Sequence, residues 1–335
     1  MRFNKIGAAT AAGLTALMTF GSSMAMAADE ITVAYFLEWP MPFEYAKQMG
    51  TYDKELGVKV NWVSFESGVK MSAAMASGDV HMSVSQGVPP FVVAASAGQD
   101  LQILDVAVSY ADNDNCVVRS ELEIDKTNAG ELAGKKVAVP LGTAAHYGFL
   151  KQMSHFGVDV ASMDVVDMDP ADAAAAIDQG AVDMFCGWGG ALRRALEHGN
   201  VLLTGDEKTA LGILVFDVTS GPADWIAENG DLVSKFLKVT ADANAMWADE
   251  ANHAKMLPLI AKDAGMDEEG TASTMATFTF PSVADQLSGG WLGGNAQTFM
   301  KGVADVFVKA GSIDGALDSY DSAVNTGPLK AASDM

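Results

Sequence analysis

The chain has 335 residues, 49% of them hydrophobic and 19% charged, and a formal net charge of −22. That is enough chain for one large domain or two ordinary ones, and it is too apolar for an intrinsically disordered protein. The negative charge argues against nucleic acid or an anionic membrane surface as the main partner, since both demand basic patches. Two cysteines cannot build a disulfide scaffold or a multi-thiolate metal site.

Residues 1–27 read as a secretory signal peptide. Arg2 and Lys5 supply a positive start, Ala8 to Phe20 an apolar stretch, and Ala25-Met26-Ala27 a small-x-small cleavage signature. The apolar stretch is too short to span a bilayer comfortably. Cleavage removes two positive charges from −22 and leaves the mature chain near −24. No later segment has about 18 uninterrupted apolar residues, which predicts a soluble protein, periplasmic in a double-membraned bacterium. In that oxidising compartment Cys116 and Cys186 either form one disulfide or are two buried small hydrophobes. No C-x-x-C motif points to redox activity.

The mature chain opens on a strand, Ile31 to Tyr35, then a turn with Pro40 and Pro42, a helix through Phe43–Met49 and a second strand from Val58 to Phe65. Strand, helix and strand in alternation mean an α/β fold with a mostly parallel sheet. The segment Ala74–Met82 is echoed by Ala176–Met184, an offset of 102 residues from Gly78 to Gly180. Each copy is the end of an Ala-rich helix, a C-cap glycine and the start of a strand. Gly87 and Gly189 then fall at equivalent places, just past the carboxyl end of that strand. The echo predicts two similar lobes. Strands at Lys135–Pro140, Met163–Met168 and Ala181–Cys186, with helices at Thr143–Phe156 and Asp172–Gln179, make up the second. After Pro222 the pattern turns helical, through Leu232–Trp247 and then roughly 251–266, 283–289 and 295–310. The expected division is lobe I from residues 28–112 and 219–335 and lobe II from 113–218, with hinges at Tyr110–Asn115 and Leu214–Val218. Open α/β sheets take ligands outside the carboxyl ends of their strands, so the ligand is expected in the cleft between the lobes.

Enzyme signatures are absent: there is no G-x-S-x-G elbow, no H-E-x-x-H, no Walker loop and no G-x-G-x-x-G after a strand. No catalytic residue, cofactor or metal is expected. The five histidines show no metal-ligand spacing. The candidate site is one for binding. Thr143 is a plausible N-cap in Pro140–Gly148, so the amides of Ala144, Ala145 and His146 would offer an anion site without Arg or Lys. Asp217 interrupts the apolar run Leu211–Val218, where a carboxylate needs a partner, and a cationic ligand group would supply one. Glu38 and Trp39 follow the first strand and suit an ammonium group. Trp188 sits between glycines, and Gln86 is its lobe I counterpart. Together these residues suggest a small zwitterion.

The chain resembles the taurine-binding proteins of bacterial ABC importers, within the larger group of periplasmic binding proteins for alkanesulfonates, nitrate and thiamine precursors. The resemblance is carried by Ile31–Tyr35, Ser67-Gly68, Ala76–Val80, Val92–Ser96, Gly134–Pro140, Thr143 with His146-Tyr147, Trp188 and Asp217-Val218. It implies the two-lobed type II binding-protein fold and a function in transport: capture of taurine and delivery to a permease and its ATPase. It places the sulfonate on Thr143 and His146, the ammonium on Asp217 and the ethylene linker on Trp188. Two departures stand out. Ala144 and Ala145 lie where a hydroxyl is expected, and Gln86-Gly87-Val88 where serine is expected, leaving a sulfonate to backbone amides and Gln86. The alternatives are another small sulfonate or zwitterion (an alkanesulfonate, isethionate or a methylated amine), a sensory or chaperone-like periplasmic module, and a pyrimidine-precursor enzyme of the same fold. A monomer is expected, because the cleft must open freely.

Overall fold

A computed structural model describes residues 30–213 and 215–335; the expected signal segment 1–27 and Leu214 of the second hinge lie outside the described residues. The chain begins with β1 (Glu30–Tyr35), α1 (Pro42–Gln48), α2 (Thr51–Leu56), β2 (Lys59–Ser64), α3 (Gly68–Ser77), β3 (Met82–Gly87), α4 (Val88–Ser96) and β4 (Leu101–Tyr110). It crosses to a second lobe made of β5 (Asp114–Arg119), β6 (Lys136–Ala138), α5 (Ala144–Phe156), β7 (Asp164–Val166), α6 (Pro170–Asp178), β8 (Met184–Trp188), α7 (Gly189–Ala195) and β9 (Gly199–Val201). After α8 (Gly205–Ala210), β10 (Val215–Pro222) returns to the first sheet. There α9 (Ala223–Glu228), α10 (Gly230–Ala248), α11 (His253–Ala264), α12 (Glu268–Met275), α13 (Val283–Gln286), α14 (Asn295–Lys309) and α15 (Gly327–Ser333) follow.

The two sheets share one plan. The first runs β2-β1-β3-β10-β4 and the second β7-β6-β8-β5-β9. In each, the first three strands are parallel, and the strand next to the last is antiparallel to both neighbours. The sheets are therefore mixed, and the antiparallel strand in each, β10 or β5, is the one the chain enters on changing lobes. Strand residues such as Val33, Ala34, Val84, Val106 and Val218 are fully buried, as expected for sheets covered by helices on both faces. The sequence echo matches this symmetry, since its two copies lead into β3 and β8.

The second crossing differs from expectation. Residues 215–218, expected in lobe II, pair with β3 and β4 in the lobe I sheet. Apart from Asp217 they are apolar, and all four are buried, as suits a central strand. Several expected elements are shorter than their apolar patterns. Residues 181–183 precede β8 because Gly180, at φ 68°, is still turning the chain.

Cys116 and Cys186 stand directly opposite each other on β5 and β8 and form a disulfide, their Cα atoms 4.0 Å apart. Both are buried, so the bond links the two strands inside the lobe II core. Replacing both cysteines by alanine is expected to cost about 2–4 kcal/mol, read as a lower midpoint in denaturant unfolding, with the helical and strand signature of the folded state preserved.

Candidate functional site

The carboxyl ends of β1, β3 and β8, together with the tips of β4 and β5, converge between the lobes. There Phe36, Trp39, Gly68, Gly87, Pro90, Tyr110, Asp114, Thr143, Ala144, Trp188 and Asp217 line a narrow pocket with a cavity volume of about 20 Å³. The first turns or caps of α3, α4, α5 and α7 all contribute to this lining. Helix N-termini carry unpaired amides and partial positive charge, but Pro89 and Pro90 have no N–H and the Gly189 and Gly190 amides donate to the carbonyls of Asn113 and Glu38, so the start of α5 is the side of the pocket that favours an anion.

Asp217 provides the opposite sign. It is buried, with Oδ1 accepting from the Tyr110 hydroxyl at 2.6 Å and Oδ2 from the Ser85 hydroxyl at 2.7 Å. Trp39 Nε1 donates to the same Ser85 Oγ at 2.9 Å. Two irregularities of the sheet produce this cluster. The register of β10 shifts beside Asp217, which re-aims side chains at that point. Ser85 adopts φ 72° inside β3, a left-handed conformation unusual for a residue with a Cβ. Burial raises the Asp217 carboxyl to about 7, against the lowering effect of its two hydroxyl donors. Asp114, on the other lobe, is also buried and shifted upward by desolvation.

On the anionic side, Thr143 caps α5, accepting from the His146 N–H at 3.4 Å while its hydroxyl donates to the Pro140 carbonyl at 2.6 Å. That hydroxyl proton is committed, so the free donors at this helix end are the amides of Ala144 and Ala145. Gly142, at φ 75°, abuts Val69 and Val93 of the opposite lobe, and a side chain there would be strained and crowded.

Five of the nine expected residues, Trp39, Thr143, Ala144, Trp188 and Asp217, line the pocket. The other four lie outside its lining. Ala145 is buried in the first turn of α5. His146 turns back on its own loop: Nδ1 accepts from the Gly142 N–H at 3.1 Å, and the ring stacks on Phe307 with centroids 5.4 Å apart. Burial lowers it to about 4, which keeps the ring neutral and suits the acceptor role. Gln86 spends its carboxamide internally, donating to the Gly68 carbonyl and Ser72 hydroxyl and accepting from Ser220. Glu38 reaches across the cleft rim to Arg194 in a bidentate pair at 2.7 and 3.0 Å.

The residues missed from sequence are Phe36, Ser85, Tyr110 and Asp114. Tyr110 and Asp114 sit in the polar stretch read as a hinge; a tyrosine and an aspartate at a strand end facing a cleft were the available signal. Among the described residues, no group of three or more His, Cys, Asp or Glu side chains is placed to hold a metal ion, and no helix is long and apolar enough to cross a membrane.

Ser85 separates conformation from hydrogen bonding. Ser85→Ala removes the bonds to Asp217 and Trp39 and keeps the strained backbone. Ser85→Gly removes the same bonds and relieves the strain. The glycine variant is expected to be the more stable by about 1 kcal/mol, with both below wild type in urea unfolding.

The chain matches the family described as NMT1/THI5 like over residues 41–254. It is 29% identical over 230 residues to the taurine-binding periplasmic protein of Escherichia coli (strain K12), covering 69% of this chain and 70% of that protein. The crystal structure of the periplasmic aliphatic sulphonate binding protein SsuA from Escherichia coli superposes with a TM-score of 0.69 at 22% identity, covering 87% of this chain and 91% of that one. The periplasmic nitrate-binding protein NrtA from Synechocystis PCC 6803 superposes with a TM-score of 0.72 at 13% identity, covering 91% and 88%. At these identities the structural likeness is one of fold.

Proposed function

The chain belongs to the NMT1/THI5-like family, and from that premise we propose that it is the periplasmic solute-binding component of an ABC importer. In this reading it captures taurine, a small aminosulfonate, between its lobes and presents it to a membrane permease and ATPase. The name of the Escherichia coli relative supports this reading. The observation that carries it is the pocket itself, where the carboxylate of Asp217, the N-terminus of α5 and the aromatic rings of Phe36, Trp39 and Trp188 line one space. The ammonium would meet Asp217, the sulfonate the amides of Ala144 and Ala145, and the two methylenes the aromatic faces. His146 acts indirectly, holding the Gly142 turn that presents those amides. Glu38 belongs to the rim, tying the lobes through Arg194.

A second reading, a methylated amine zwitterion such as glycine betaine, is favoured by four aromatic rings, Phe36, Trp39, Tyr110 and Trp188, in the same pocket. Such rings suit alkylated ammonium groups.

Calorimetry on ligand-free protein tests both. Taurine is expected to bind tightly, and isethionate, which has a hydroxyl in place of the ammonium, weakly. Asp217→Asn should weaken taurine by on the order of a hundredfold and leave isethionate little changed; tight binding of glycine betaine with no heat from taurine selects the second reading.

The pH dependence follows from the raised carboxyl of Asp217 at about 7. Below that pH the ligand must displace a proton, so taurine affinity should fall from pH 7 toward 5 by up to about tenfold per unit. Ligand-free stability has the opposite sign. Between an unfolded value of about 3.9 and the folded value of about 7, the folded state holds more proton than the unfolded. The stabilisation by Asp217 is thus fully present at low pH and lost as pH rises through 7. Calorimetry at stepped pH, with thermal melts of the free protein, checks both slopes, and Asp217→Asn should reduce them, the buried Asp114 carboxyl, also shifted upward, retaining part of the stability slope.

A further inference from the structure

Asp114 enters the pocket from the lobe opposite Asp217. It is the first residue of β5, directly across the ladder from Trp188 and two residues from the disulfide. It is 3% exposed, and its Oδ2 is buried without a hydrogen-bond partner. Lys208, 2% exposed, donates to the backbone carbonyl of Asp114 and not to its carboxylate. Both oxygens of Asp217, by contrast, already accept a hydroxyl. The uncommitted carboxylate oxygen in this pocket is therefore on Asp114.

Burial without compensation is costly for any ion. Closing the lobes on no ligand encloses two carboxylates, Asp114 and Asp217, with one ammonium, Lys208, and the one negative charge in excess must be met by uptake of a proton, which becomes costly as pH rises above 7, or by a cation. A ligand that brings one positive charge neutralises the set, while its anionic end faces helix amides. The rim pairs Glu38–Arg194, Lys70–Asp169 and Arg193–Asp267 join the lobes, but pairs this exposed to solvent contribute little. They are too weak to override an unbalanced buried charge.

We propose that Asp114 is a second carboxylate for the ligand's cationic group, and that the pair it forms with Asp217, one from each lobe, makes closure depend on a positive charge in the cleft. The identity of the ligand rests on the aminosulfonate reading; the dependence of closure on charge does not.

The test compares wild type, Asp114→Asn and Asp114→Ser, the second guarding against a folding defect in the first. Small-angle X-ray scattering of the ligand-free proteins reads closure, and calorimetry with taurine and isethionate reads selectivity. The expected results are a smaller radius of gyration for the ligand-free variants, a taurine affinity lower by about tenfold or more, and a narrowed gap between taurine and isethionate. Ligand-free dimensions equal to wild type in both variants would overturn the proposal, and so would unchanged taurine affinity. If wild type binds no taurine, the aminosulfonate reading fails, and the scattering comparison alone still decides the role of Asp114.

Discussion

A carboxylate held away from water at the cleft between two lobes is the constraint around which this molecule is arranged. Asp217 lies on β10, the strand by which the chain returns to its first lobe, and its two oxygens are fixed by Tyr110 and Ser85. Each neighbour carries its own requirement. Tyr110 ends the strand by which the chain leaves that lobe, and Ser85 must adopt a left-handed conformation to reach the site. The local strain, the register shift in β10 and the desolvation of the carboxyl all act against stability. They persist because the surrounding sheet, with Val84, Val106 and Val218 fully buried, over-determines the backbone there.

Net charge is a poor guide to what such a protein holds. At −22 the chain offers a cation a favourable field, yet one wall of the pocket is the N-terminus of α5, whose amides attract an anion regardless of total charge. In both lobes a strand ends at the cleft and runs directly into a helix, β3 into α4 and β8 into α7. Pro89 and Pro90 carry no N–H at the start of α4, and the Gly189 and Gly190 amides of α7 donate to the carbonyls of Asn113 and Glu38, so the open amides are those of α5. The Cys116–Cys186 bond holds β5 against β8 just behind Asp114 and Trp188, fixing the lobe II contribution before the lobes meet.

Much of this was legible in the sequence, and what escaped has a common cause. The echo of Ala74–Met82 in Ala176–Met184 predicted two like lobes because helix ends, cap glycines and strand starts are local patterns. Thr143 was readable as an N-cap for the same reason, and Asp217 because a carboxylate in an apolar run requires a partner. Local pattern carries no information on which hydrogen bonds are already taken. Gln86 is committed to Gly68, Ser72 and Ser220, His146 to Gly142, and Glu38 to Arg194. All three read as available groups until the partners are seen. Ser85, whose importance lies in a backbone angle, and Asp114, whose importance lies in a missing partner, depend on tertiary packing in the same way, as does the assignment of 215–218 to the lobe I sheet.

The central claim is that one small molecule places opposite charges at opposite ends of this cleft. A crystal structure of the taurine complex tests it most directly. The account predicts the nitrogen within hydrogen-bond distance of Asp217 and the sulfonate oxygens on the amides of Ala144 and Ala145, with both lobes in contact with the ligand. A ligand bound in the reverse orientation, or outside the pocket lined by Trp39, Trp188 and Asp217, would contradict it.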